Sequence, residues 1–254
     1  MLTVAASLAA CDPVFPEASD DRLVLLAALN PDSAEHLVLA AHTPAAVEGP
    51  PMIVELYRGT PNGGALSWTL VATANERGRE CAAQPYYESL VVPHCLAPAA
   101  MLDPGAAYLV EASAEGYRTA RGRTLAVGDF EVNSAVLTRD DASATLDASW
   151  TASVAAHRYF VALRRLHPPH GEDPKGWYAE VDGTSVTVSL PSKAIDEAVE
   201  PVTLDVTALS KELYDYLTSG TEGEFFSVPP IQNVENGFGF VGSMRVRSLV
   251  VEFR

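Results

Sequence analysis

Lysine is almost missing from this chain: Lys175, Lys193 and Lys211 are all there is, and no lysine or arginine precedes Arg22. With 33 acidic against 17 basic residues the formal net charge is −16, so the surface repels phosphate backbones and nucleic acid is excluded as an expected partner. The charges are scattered rather than gathered into a tail, which marks a solvated surface. Nowhere does the sequence reach the roughly 18 uninterrupted apolar residues of a membrane-spanning helix. It holds no Gly-x-Ser-x-Gly elbow, no His-Glu-x-x-His helix and no Asp-rich calcium loop closed by a glutamate, so those routes to hydrolysis and metal binding have no residues to stand on.

Cysteine is scarce as well, and each of the three has a distinct expectation. Leu8-Ala9-Ala10-Cys11 places an apolar residue at minus three and two small residues before a cysteine, the pattern that a bacterial lipoprotein signal peptidase cleaves. Residues 1–10 supply the apolar stretch and cleavage site of a secretory signal without its basic start. The expectation is therefore a truncated signal over 1–10, a lipidated Cys11, and a solvated tether over 11–21 that ends in Asp20-Asp21. Acyl chains would hold the protein at the membrane, each buried methylene contributing about 0.8 kcal/mol. Cys81 and Cys95 then form an even pair in an exported domain, expected to be a disulfide that stabilises by about 3 kcal/mol through loop closure. Two free thiols are the alternative.

Beyond the tether, short β-branched and aromatic runs alternate with Pro, Gly, Asn and Asp. The length suits two sandwiches, over 22–127 and 128–254. Leu23 to Leu29 and His36 to Ala41 flank Asn30-Pro31-Asp32-Ser33 as a hairpin. Met52 to Arg58 and Leu66 to Ala72 flank a turn at Thr60-Pro61-Asn62-Gly63-Gly64. Leu102 to Glu111 has the form of the corner in sandwiches similar to fibronectin type III, with Tyr108 on a strand after the turn and its hydroxyl tied back to the loop. Trp150 reads as core. Trp177 to Val181, Asp182-Gly183 and Thr184 to Leu190 predict a hairpin with a two-residue type I′ turn. Ser210 to Leu217 predicts one short helix, capped by Ser210, with Leu209, Leu213 and Leu217 on one face. The fold class is all-β: two fibronectin type III/Ig-like sandwiches with one short C-terminal helix.

Candidate chemistry is thin. Gly237-Phe238-Gly239-Phe240-Val241-Gly242 matches the dinucleotide fingerprint, but an evident strand follows it where a phosphate-binding helix is required, so the glycines are read as permitting a sharp backbone path in which Phe238 and Phe240 alternate with them, and no cofactor is expected. His157, His167 and His170 lie around prolines with no partner at ligand spacing. Tyr86 and Tyr87 in the Cys81–Cys95 loop, with Trp177 and Tyr178 beside the histidine loop, are the candidate binding aromatics.

Leu209 to Leu217, followed by Phe226-Ser227-Val228-Pro229-Pro230-Ile231-Gln232-Asn233-Val234-Glu235-Asn236-Gly237-Phe238-Gly239-Phe240-Val241-Gly242-Ser243, resembles the end of the domain of unknown function 4249 family, bacterial outer-membrane lipoproteins. Chains of that family close with a Tyr-bearing helix, a Pro-Asn-Asn-Gly segment and a Gly-aromatic-Gly turn. The resemblance implies a surface or periplasmic lipoprotein, associated with a TonB-dependent uptake receptor, with no catalytic residues to carry over. The expected function is a non-enzymatic binding or accessory module at the outer membrane; an envelope-polymer hydrolase and a purely structural spacer are the alternatives.

Overall fold

The computed structural model describes residues 22–43, 50–75, 94–139, 143–165, 177–191, 202–219 and 231–254. In chain order the strands are β1 (Arg22–Leu29), β2 (Val38–Thr43), β3 (Ile53–Asn62), β4 (Ala65–Asn75), β5 (His94–Leu96), β6 (Ala107–Ser113), β7 (Ala120–Leu125), β8 (Val132–Arg139), β9 (Ser143–Trp150), β10 (Arg158–Arg165), β11 (Trp177–Val181), β12 (Ser185–Pro191) and β13 (Val202–Leu209). Helix α1 (Lys211–Ser219) follows, then β14 (Val234–Glu235), β15 (Gly237–Val250) and β16 (Glu252–Phe253).

Strand alternation does most of the local work. In β1, Leu23, Leu25, Ala27 and Leu29 are buried and the residues between them are half-exposed, the period of a strand with one face on a core. The Asn30 side chain accepts from the Asp32 amide at 3.0 Å and the Asn30 carbonyl from the Ser33 amide at 3.0 Å, turning β1 into the expected hairpin with β2. The β3–β4 hairpin also forms, with Gly63 and Gly64 in the left-handed region at its tip.

Among the described residues three sheets result. A seven-stranded sheet runs β11-β10-β13-β15-β1-β2-β5; a four-stranded sheet runs β12-β9-β8-β16; a five-stranded sheet runs β14-β7-β6-β3-β4. Two cores form between them. One gathers Leu23, Leu25, Leu56, Leu96, Tyr108, Val110 and their neighbours, together with Val241. The other gathers Phe130, Leu137, Leu146, Trp150, Tyr159, Val161, Leu204 and Val206. Among the described residues the architecture is thus all-β, two β-sandwiches with one short helix, and the seven-stranded sheet supplies one layer to each.

The strand that makes this sheet continuous is β15. Gly237 to Ser243 pair in parallel with β1, and Met244 to Val250 pair antiparallel with β13. The sequence reading of Gly237–Gly242 as a sharp backbone path is therefore corrected: the segment is the first half of a 14-residue strand. Its glycines meet the packing needs of that strand. Gly239 has φ +111°, and a Cβ there would stand 2.2 Å from the Leu25 carbonyl oxygen; at Gly242 it would stand 2.5 Å from the Leu213 Cβ, so α1 lies directly on the strand.

A second correction concerns Trp177 to Leu190. β11 pairs with β10 and β12 pairs with β9, so the two are not a hairpin, and Asp182-Gly183 carries the chain from one sheet to another. Gly183 has no positive φ, which a type I′ turn requires.

Candidate functional site

The densest polar arrangement among the described residues lies where β15 passes from one sandwich to the other. Ser243, fully buried, is its centre: its hydroxyl donates to the Leu29 carbonyl at 2.9 Å and accepts from the Val127 amide at 3.0 Å. One residue thereby ties the end of β1, the segment after β7 and the middle of β15.

On one side stands the start of α1. Ser210 Oγ accepts from the Ser243 amide at 3.0 Å and, as a helix cap, from the Leu213 amide at 3.5 Å; the Ser210 amide donates to the Ser243 carbonyl at 2.9 Å. Thr124 Oγ1 lies 3.2 Å from Ser210 Oγ and donates to Glu212 Oε2 at 3.0 Å. A cavity of about 200 Å³ opens here, lined by Leu125, Ala155, His157, Lys211 and Glu212 beside Ser210. Serine, histidine and glutamate around one cavity invite comparison with a hydrolase triad. Ser210 does not fit the role of nucleophile, because its oxygen is buried and engaged by the helix amide, the strand amide and Thr124. The His157 ring meets Tyr214 edge-on at 5.2 Å, and the His157 backbone amide closes onto the Leu209 carbonyl at 2.7 Å.

On the other side stands a charge network. Arg245 and Arg247 project from β15, two residues apart and hence on one face. Arg245 pairs with Asp32 of the β1–β2 turn, with Nε 3.1 Å from Oδ2, and Nε also lies 3.6 Å from Asp129. Arg247 reaches Asp32 at 2.5 Å and Asp129 at 2.6 Å, with its guanidinium 6.0 Å from the Phe130 ring centre. Hydrogen bonding to Arg247 first, and Arg245 second, holds the Asp32 carboxyl below its ordinary range against partial desolvation. Arg247 does the same to Asp129, and the two carboxylates push Arg247 upwards. Arg245 Nη1 is buried without a hydrogen-bond partner. Asp32 belongs to the first sandwich and Asp129 to the segment leading into the second, so the two arginines clamp both.

The connection itself is strapped down. Gly128 donates its amide to the Val154 carbonyl at 2.7 Å, Ser153 Oγ donates to the Gly128 carbonyl at 2.7 Å, and Ala155 is held at φ 62°. The corner tyrosines lock the loops around it. The Asp103 amide donates to the Tyr108 hydroxyl at 2.7 Å, as expected, and the Ser153 amide donates to the Tyr159 hydroxyl at 2.8 Å, a second corner that the sequence reading passed over.

The predicted site residues lie elsewhere. Cys11, Cys81, Tyr86, Tyr87, His167 and His170 fall outside the described residues. Cys95 is in β5, its backbone paired with Leu39, and Trp177 opens β11; neither side chain is among those described. Tyr178 is 82% exposed on the edge strand β11. The residues missed were Asp32, Asp129, Arg245 and Arg247. Arg245-x-Arg247 in the last strand of a chain so poor in basic groups was the available signal, because strand spacing puts both cations on one face. No group of three or more potential metal ligands gathers among the described residues. No helix there is long and apolar enough to cross a membrane.

No protein-family model matches the chain, and no curated protein matches it. Among solved structures it is similar to CBD12 from CALX1.2, with 11% identity over 92% of this chain and 100% of that one and a TM-score of 0.26. At that TM-score the likeness carries no statement about chemistry.

Proposed function

We propose that this chain is a non-catalytic lipoprotein of the bacterial cell envelope, anchored at the outer membrane through Cys11, in which two sandwiches present exposed strand edges and aromatics to a partner protein. The observation that carries this reading is the pattern Leu8-Ala9-Ala10-Cys11, followed by the acidic, proline-containing stretch up to Asp21 and a first strand that opens at Arg22. The junction supports a binding role over an enzymatic one: its hydroxyls and carboxylates are engaged with one another, and Ser210 offers no free oxygen to a substrate. Tyr178, by contrast, faces solvent from an edge strand. The resemblance over Leu209 to Ser243 adds the partner class, an outer-membrane receptor of the TonB-dependent type.

Metabolic labelling with an alkyne fatty acid, followed by membrane fractionation, tests the anchor. The parent chain should carry label and sediment with membranes, and Cys11→Ser should lose both. An unlabelled parent chain, or a Cys11→Ser variant that stays with the membranes, would overturn the reading.

A further inference from the structure

We infer that β4 is a self-association edge, through which two copies of this chain pair antiparallel about a two-fold axis and join their five-stranded sheets into one. The sheet edges among the described residues are not alike. β5 has three residues, and β14 and β16 have two each; β12 ends in Pro191, and β11 carries Glu180, which is ion-paired to Arg158 at 3.5 Å. All of these are short or bear the proline and charge with which proteins protect an edge. β4 has 11 residues and neither a charge nor a proline.

Its outward side is apolar. Leu66 lies opposite Pro61, Trp68 opposite Gly59 and Leu70 opposite Tyr57, so the three share one face of the sheet. Leu66 is 43% and Leu70 48% exposed. Trp68 is held flat: a Cβ on Gly59 would come within 2.9 Å of its ring, and the Arg123 guanidinium stands 5.7 Å from the ring centre. The bulge between Leu56 and Tyr57 leaves Val71 without a partner in β3 and ends the straight stretch, so Leu66 to Leu70 forms the seam.

The seam fits a copy of itself better than another protein. An antiparallel copy centred on Trp68 sets Leu66 of one chain against Leu70 of the other at both ends, apolar against apolar in register. A basic partner would be recognised by carboxylates along the edge, and β4 has none; an uncharged strand meets its own copy without like-charge repulsion, although each chain carries −16. One strand-to-strand seam is a small interface of the weak, transient kind, so the dimer should dissociate in the micromolar range, roughly 1–100 μM.

Sedimentation equilibrium of the Cys11→Ser chain across that range tests the inference. The expected result is a mass that rises from monomer towards dimer, with β4 amides gaining protection from hydrogen exchange as concentration increases. The variant Leu66→Lys/Leu70→Lys, substituted only at exposed positions, should keep the parent circular dichroism spectrum and remain monomeric throughout. A parent chain that is monomeric at every concentration, or a lysine variant that dimerises as the parent does, would overturn it.

Discussion

Replacing Asp32 with asparagine should cost more than replacing Arg245 with methionine, although the two side chains make the same ion pair. The Arg245 side chain is 10% exposed and its Nη1 has no partner, whereas the Asp32 side chain is 34% exposed and is shared with Arg247. Asp32→Asn leaves a buried guanidinium facing only the more distant Asp129. Breaking a fully buried pair from that side costs about 3–5 kcal/mol, and the exposure of Asp32 reduces this to about 2 kcal/mol. Arg245→Met removes the orphaned nitrogen and refills the same volume, while Asp32 keeps Arg247 and water; the cost should be about 1 kcal/mol or less. The double variant should resemble Arg245→Met alone, a coupling of about 2 kcal/mol. Urea unfolding followed by Trp fluorescence reads these differences, since Trp150 is buried in the second core. The pH dependence has a definite sign: Asp32, held below its ordinary value, contributes fully above about pH 4 and loses its contribution as the pH falls through its depressed pKa. Equal costs for the two single variants, or a larger cost for Arg245→Met, would refute the claim that the penalty comes from stranding a buried cation.

Tyr159→Phe should destabilise by about 1–2 kcal/mol, because it leaves the buried Ser153 amide without an acceptor, while Tyr108→Phe should cost about half as much because water can reach the Asp103 amide; thermal unfolding of the two variants side by side checks the order. Burial holds His36 below its ordinary 6.5 despite the hydrogen bond from Nε2 to the Ala100 carbonyl at 2.8 Å. The unfolded chain takes up a proton near pH 6.5 that the folded one refuses, so stability should fall as the pH drops below about 6.5, and His36→Gln should flatten that part of a stability–pH curve.

Local signals were legible where a single segment decides its own shape. The burial of alternate residues in β1, the Asn30 turn, the glycines at the β3–β4 tip, the Tyr108 corner and the Ser210 cap all rest on residues within a few positions of one another. Misreadings arose where partners lie far apart. Asp182-Gly183 has hairpin chemistry, yet its flanking strands find partners in β10 and β9, because a sandwich places sequence neighbours in opposite layers. Gly237–Gly242 reads as a sharp backbone path because nothing local shows that β1, more than 200 residues earlier in sequence, supplies the backbone against which the glycines pack. The junction was hidden for the same reason: Asp32, Asp129 and Arg245 are ordinary surface residues until the topology brings them together. Tyr178 shows the converse, since its exposure follows from a strand at a sheet edge and not from its aromatic neighbour.

The parallel pairing of β1 with β15 also sets a timetable. A chain emerging from a ribosome or a translocation pore with its first residues leading delivers β1, β2 and the whole five-stranded layer apart from β14 long before β15 arrives. Until then one side of β1 is an open seam, and Val241 is missing from the first core. Contacts between strands more than 200 residues apart slow folding, because loop-closure entropy is spent before any of it is recovered. β1 is thus completed only when β15 arrives, more than 200 residues later, and a holding factor that shields β1 during synthesis would act on the stage at which the chain is most open to wrong pairing.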